Sequence, residues 1–212
     1  MGKSISSLLS AIVIAIIIFS SDCQCQEEQI GENIKSVKIG NQIWMIENLN
    51  VDHYRNGDKL PEVRDNTEWE NLTTGAWCYY ENKSENGEKY GKLYNWYAVM
   101  DPRGLAPIGW HIPTLVDFKE FQKEVNDDGN TIKAIQQGKI SGVGASGFSA
   151  LLAGSRGIDG YFSQLGEYTY FWHYSFDGVP RAQSMDLKYL HNYIGFSDKG
   201  MRNGFSVRCI KN

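Results

Sequence analysis

The sequence predicts an α+β domain of short strands and irregular loops, and three observations carry that prediction. "SVKIGNQIWM", "GAWCYY" and "FSVRC" each place successive residues on two opposite faces, as half-buried strands do. One segment, "PTLVDFKEFQKEV", keeps its apolar residues at helical spacing over a full ten positions and more. The composition supplies the third: 22 Gly imply many turns, and 9 Phe, 12 Tyr and 6 Trp imply a core filled largely by rings. With 212 residues at 42% hydrophobic content, one full core fits and two would be cramped. A net charge of −4 with no Lys/Arg cluster excludes nucleic acid as the partner.

Residues 1–25 read as an export signal. Lys3 supplies the positive start, residues 8–19 are apolar except Ser10, and polar "SSDCQCQEEQ" follows. The apolar run is shorter than the roughly 20 residues that cross a bilayer, so an uncleaved anchor is the weaker alternative. Cys23 and Cys25 occupy −3 and −1 of a cut before Gln26, or one of them is the acylated first residue of a lipoprotein. Asp22 and Gln24 fit acylation poorly, whereas the acidic "QEEQ" resembles the surface-export signals of some lipoproteins; lipidation stays open. The destination is the cell surface, outer membrane or periplasm, with a lipid anchor as the only membrane contact.

Residues 26–35 are a polar leader, and one domain covers 36–212. Val37 and Ile39 alternate, Gly40-Asn41 turns the chain, and Ile43, Met45 and Leu49 are expected to point inward. A long ordered loop follows over 52–74, with one short helix near "NTEWENL". After the "GAWCYYEN" strand, "KSENGEKYG" reads as a polar turn, and "KLYNWYAV" fits a helix or a strand. Thr114 and Asp117 form a capping-box pattern before Leu115, Phe118, Phe121 and Val125, which share one helix face. A second short helix is expected over 130–137. The last strand is expected to be half-buried, with Phe205, Val207 and Cys209 on one face and Ser206 and Arg208 on the other.

Once Cys23 and Cys25 are set apart, Cys78 and Cys209 remain in the domain. In an oxidising compartment such a pair is most simply a disulfide, worth roughly 4–5 kcal/mol by loop entropy. Two separate buried thiols are the other reading.

Five segments, "VKIGNQIWMIENLN", "YGKLYNWYAV", "APIGWHIPT", "EYTYFWHYSFDG" and "NGFSVRCIKN", together resemble, in that order, the motifs of the Fibrobacter succinogenes major paralogous domain. That family occurs mostly in exported proteins of Bacteroidetes and Fibrobacteres. The resemblance spans residues 36–212 and implies a C-type-lectin-like fold: antiparallel sheets, one or two helices and long irregular loops. It also implies that the N- and C-terminal strands lie together and that Cys78 pairs with Cys209. It implies no settled activity. His173 and Tyr174 depart from the small hydroxyl residues usual after "FW" in the family.

No catalytic constellation is visible. The histidines His53, His111, His173 and His191 share no zinc spacing, and His111 reads as a structural hydrogen-bonding residue. Glu124, Asn126 and Asp128 lack the later glutamate of a calcium loop, where Ile135 stands, and the ligand motifs of calcium-dependent lectins are missing. Ser146 in "GASGF" has the wrong spacing for a nucleophile elbow. Copper chemistry of the formylglycine-generating type would need the two thiols assigned to the disulfide. No metal and no cofactor is therefore expected. The aromatic run 161–174 supplies the candidate ligand-binding residues Tyr170, Trp172, His173 and Tyr174, with Arg156 and Asp159 nearby; a second layer of core is the competing reading. The expectation is a binding module for glycan or a surface protein, without catalysis. A carbohydrate-active enzyme using a carboxylate pair, or a purely structural envelope protein, are the alternatives.

Overall fold

The computed structural model describes residues 34–134, 144–176 and 180–212. The expected export signal, nearly all of the leader, and positions 135–137 of the second helix lie outside them. Gly40, at φ +58°, makes the tight turn that joins β1 (Ser36–Ile39) to β2 (Gln42–Met45) as an antiparallel hairpin. β2 sits inside a four-stranded sheet of order β1-β2-β11-β5, completed by β5 (Trp110–His111) and β11 (Ile210–Lys211). The first and last strands of the domain are therefore neighbours, through the Trp44↔Ile210 pairing. A central strand is covered on both faces, which corrects the inward assignment of Ile43. That residue is half-buried, whereas Trp44 and Met45 are both in the core.

The helices divide less simply than the sequence suggests. α1 (Asn66–Glu70) is the short helix expected in the long loop, capped by the Asp65 side chain. Residues 84–90, expected to be a polar turn, instead form α2 (Ser84–Tyr90), after a 3₁₀ turn at Tyr80–Asn82. Gly87 hides this helix in the sequence and is needed within it: a Cβ there would lie 2.1 Å from the Tyr79 ring. β3 (Trp77–Cys78) pairs with β4 (Leu93–Tyr94), and α3 (Trp96–Val99) follows, so residues 93–99 are strand first and helix second.

α4 (Leu115–Glu124) begins with the expected capping box. The Thr114 hydroxyl accepts the Asp117 N–H at 3.1 Å, and the Asp117 carboxylate accepts the Thr114 N–H at 2.8 Å. Phe118 and Phe121 meet Trp44 at ring-centroid distances of 4.9 and 5.1 Å. The Trp44 indole donates to Gln42, whose amide donates to the Asp117 carbonyl, so the hairpin and helix are locked by packing and hydrogen bonds together. α5 (Gly129–Ile132) is a single turn capped by Asp128.

The larger sheet has the order β10-β9-β8-β6-β7. Its strands are β6 (Ala153–Arg156), β7 (Phe162–Leu165), β8 (Tyr168–Phe176), β9 (Pro180–Lys188) and β10 (Gly195–Asp198). Pairing is antiparallel except where β6 meets β8. Phe171, Met185 and Leu187 on one face close against Phe118, Phe121, Phe148 and Trp44 to make the main core. Val63, Trp69, Ala76, Cys78, Tyr80 and Leu93 form a second cluster. The chain is thus α+β with antiparallel sheets and few helices.

The C-terminal segment is not a half-buried strand. Residues 204–210 are all buried, and only Ile210–Lys211 is regular strand. Trp172 N–H donates to the Ser206 carbonyl at 3.1 Å, Leu49 to Val207 at 2.8 Å and Met45 to Cys209 at 3.1 Å. The segment runs between sheets, so its polar side chains are enclosed as well. Arg208 forks onto Asn48 Oδ1 at 2.6 and 3.2 Å, donates to the Phe148 carbonyl, and lies between the Phe148 and Phe171 rings.

The expected Cys78–Cys209 disulfide is not formed: both thiols are free and buried. Cys78 sits opposite Leu93, on the face of the β3–β4 pair turned to the second cluster, within the electrostatic reach of Arg156. Cys209 instead acts on the Tyr94 phenol, and Tyr94 pairs with Trp77 on the other face. Burial pushes the Cys78 thiol up to about 12 and raises that of Cys209. Neither thiol is expected to react with an alkylating reagent in the native protein. Alkylation in urea without reductant should label both Cys78 and Cys209 peptides; a linked peptide pair would contradict the structure.

Candidate functional site

The residues expected to form a ligand surface do not converge. Phe171 and His173 face the main core, and Tyr170, Trp172 and Tyr174 point to the opposite side of β8. That opposite side is itself covered at its centre. Trp172 is 0% exposed, donates its indole N–H to the Tyr94 carbonyl at 2.7 Å, and packs on Trp96 and Phe205. Tyr170 is 9% exposed and stacks on Phe205 with centroids 4.6 Å apart. Tyr174 is half-buried beside Thr114, and its N–H donates to the Pro113 carbonyl at 3.2 Å.

Arg156 belongs elsewhere and is fully buried. Its guanidinium donates to the carbonyls of Gly160 at 2.8 Å, Val63 at 2.6 Å, Arg64 at 2.9 Å and Asp65 at 3.2 Å. The Trp69 and Phe162 rings lie on it at 4.3 and 4.8 Å. Asp159 is exposed in the β6–β7 turn, where it accepts the Tyr161 N–H. Composition flagged the aromatic run correctly as ring-rich, but rings of this size fill a core layer before they furnish a surface.

His173 has no hydrogen-bond partner on either ring nitrogen among the described residues, and it lies edge-on to Phe118 and Phe196 at 5.7 and 5.6 Å. Burial lowers its pKa to about 4, so the ring is neutral at physiological pH. His111 links the α4 cap to residue 212. Its Nδ1 is 2.8 Å from Asn212 Oδ1 and its Nε2 3.6 Å from Asp117, whose carboxylate raises its pKa. His53 pairs with Asp52, and His191 stands against Tyr193, so the four histidines are dispersed. Among the described residues no three His, Cys, Asp or Glu side chains converge for a metal ion. Asp128 caps α5, and the Ser146 hydroxyl donates to the Thr131 carbonyl while accepting the Phe148 N–H.

The sheet does open at one end of the face that carries Trp172. Exposure rises along β8 from Trp172 through Tyr170 to half-buried Tyr168. The Tyr168 and Tyr170 rings are parallel to within 3° with centroids 5.9 Å apart. Beside them, Asp186 on β9 accepts from Ser184, from Ser197 at 2.6 Å and from Lys199 at 3.0 Å. Lys199 also sits 4.6 Å from the Tyr170 ring, and Lys188 5.2 Å from the Tyr168 ring. The Tyr170 hydroxyl donates to Gln164 at 2.8 Å; burial, then the Asp186 charge, pushes its pKa up to about 12. The Tyr168 hydroxyl raises the pKa of Lys188 by hydrogen bonding. Two tyrosines, a glutamine, two lysines and a carboxylate thus share one sheet face. Strand alternation could have placed Tyr168, Tyr170 and Trp172 together, but Asp186 and Lys199 join them only through the β8–β9–β10 register.

No curated protein and no solved structure matches the chain. The family model described as the Fibrobacter succinogenes major domain matches residues 37–211, nearly the whole folded part. The chain belongs to the Fibrobacter succinogenes major domain family.

Proposed function

We propose that this chain is an exported binding module of C-type-lectin-like fold that recognises a glycan without catalysis. Its destination is the cell surface, outer membrane or periplasm, with residues 1–25 as the export signal. The fold reading is supported by the pairing of the first strand pair with the last strand and by the long loops between the two sheets. The observation that carries the function is the tyrosine pair Tyr168–Tyr170 flanked by Asp186, Lys188 and Lys199 on the open end of the sheet. The half-exposed Tyr168 ring, backed by buried Tyr170 on a rigid sheet, offers a stacking surface for a sugar, and flanking amide, ammonium and carboxylate groups match its hydroxyls. Asp186 is already engaged by three donors, which suits it to orienting neighbours better than to taking a proton.

The test is a panel of glycans and surface proteins screened with the purified chain, repeated with Tyr168→Ala. Binding should weaken at least about tenfold while the melting temperature stays near that of the parent. Trp172→Ala is unsuitable, because that ring is core. Absence of any glycan binding, or binding indifferent to Tyr168→Ala, would refute this reading. A surface-protein ligand alone would favour a protein partner, and release of reducing sugar would favour an enzyme.

A further inference from the structure

Lys133 follows α5 and is only 1% exposed. Among the described residues its hydrogen-bond partners are main-chain carbonyls: Nζ donates to Lys188 at 2.9 Å, Tyr189 at 3.1 Å and His191 at 2.7 Å. Three ammonium donors meet three acceptors, so the charge is solvated by the backbone alone. Burial lowers the lysine's pKa, with Asp128 acting in the opposite sense from outside the cage. The other buried cations are held differently. Arg156 and Arg208 are flat forks between rings, and Lys92 shares the Asn50 carbonyl and side-chain oxygens with the Trp77 face. Among the described residues, only around Lys133 is a compact cation enclosed by backbone carbonyls without a ring, which is the chemistry that replaces the water shell of a potassium ion.

The backbone around these carbonyls is also held from outside. Tyr189 N–H donates to the Glu167 carbonyl at 2.7 Å, Gly129 N–H to Asn192 at 2.5 Å, and Ala134 N–H to Ala150 at 3.0 Å. The cage therefore does not depend on the lysine alone for its shape. We propose that the 188–191 turn is a monovalent-cation site whose occupant is the protein's own Lys133 ammonium, and that the emptied cage takes potassium or ammonium. Calcium is disfavoured, because a hard divalent ion calls for carboxylate ligands and the three oxygens of the cage are all neutral carbonyls. The tethered cation fixes the turn that presents Leu190, 78% exposed, to solvent.

Full-chain Lys133→Met tests this, by thermal unfolding at constant ionic strength in choline, potassium, ammonium or calcium chloride. The variant should melt lowest in choline, and its melting temperature should rise by about 5 °C as potassium or ammonium saturates the cage. The parent protein should show no such difference. A variant that fails to fold in choline but refolds in potassium or ammonium supports the proposal equally. Identical melting in choline and potassium, a gain in calcium alone, or failure to fold in every salt overturns it. Lys133→Gln, which keeps uncharged donors, discriminates further: parental stability with no salt response would mean that the cage needs hydrogen bonds and no cation.

Discussion

Replacing Arg156 by alanine is expected to cost about 3–5 kcal/mol of folding stability, a large share of the margin of a domain this size. The guanidinium supplies donors to four main-chain carbonyls and to Asn66 Oδ1, and it fills the gap between Trp69 and Phe162. Truncation removes the packing and takes this donor from the carbonyls of buried Val63 and Gly160, while the Arg64 and Asp65 carbonyls keep the Asn82 amide and the Trp69 N–H. The loss should spread along residues 63–66, because that loop is pinned to β6 by this one side chain. Urea denaturation measures it, with exposed Arg181→Ala as the control, expected within about 0.5 kcal/mol of the parent. Arg156→Lys should fall between, since an ammonium cannot reproduce the planar fork. A loss for Arg156→Ala no greater than that control would show that the carbonyls find other partners.

His173→Phe is expected to make the domain more resistant to acid. The folded-state pKa is depressed to about 4 by burial, below the ordinary value of 6.5, so the unfolded chain takes up a proton first. Stability is therefore fully present above pH 6.5 and falls as the pH drops toward 4, by about 3 kcal/mol from this group. The charges acting on it are Asp186 from β9, which favours protonation, and Lys119 from α4, which opposes it. His111 has the reverse sign: its pKa is raised, so its contribution is complete below 6.5 and is lost as the pH rises through the folded value. The difference between parent and His173→Phe isolates the buried ring. Chemical denaturation at pH 7, 5.5 and 4 should show the variant overtaking the parent as acidity increases; parallel curves would count against a buried neutral histidine.

Much of the architecture was legible because local chemistry and global position agree. Gly40-Asn41 can only turn, and Thr114 with Asp117 can only start a helix, so both survive folding unchanged. The sequence misleads where tertiary contact overrides local preference. Gly87 argues against a helix until the Tyr79 ring is seen to need the space. Strand β2 appears one-sided until β11 is laid beside it. The candidate site was half legible: the tyrosines of β8 lie in one run, but Asp186, Ser197 and Lys199 reach them only by register. The buried cations were missed because Lys and Arg are usually exposed, and their partners are carbonyls, which no side-chain pattern reveals.

The enclosure of residues 204–210 also sets an order of events. These residues give Tyr94, Leu49, Met45 and Trp172 their backbone partners, and Arg208 holds Asn48 and Phe148. A chain emerging from its N-terminus can form the hairpin and α4 early, but both sheets stay open along their shared seam until this segment arrives. Closure along this seam is made of long-range contacts, which is expected to slow folding and to make the finished state cooperative. Residues 204–210 thus serve as the keystone of the domain, bearing on both sheets at once.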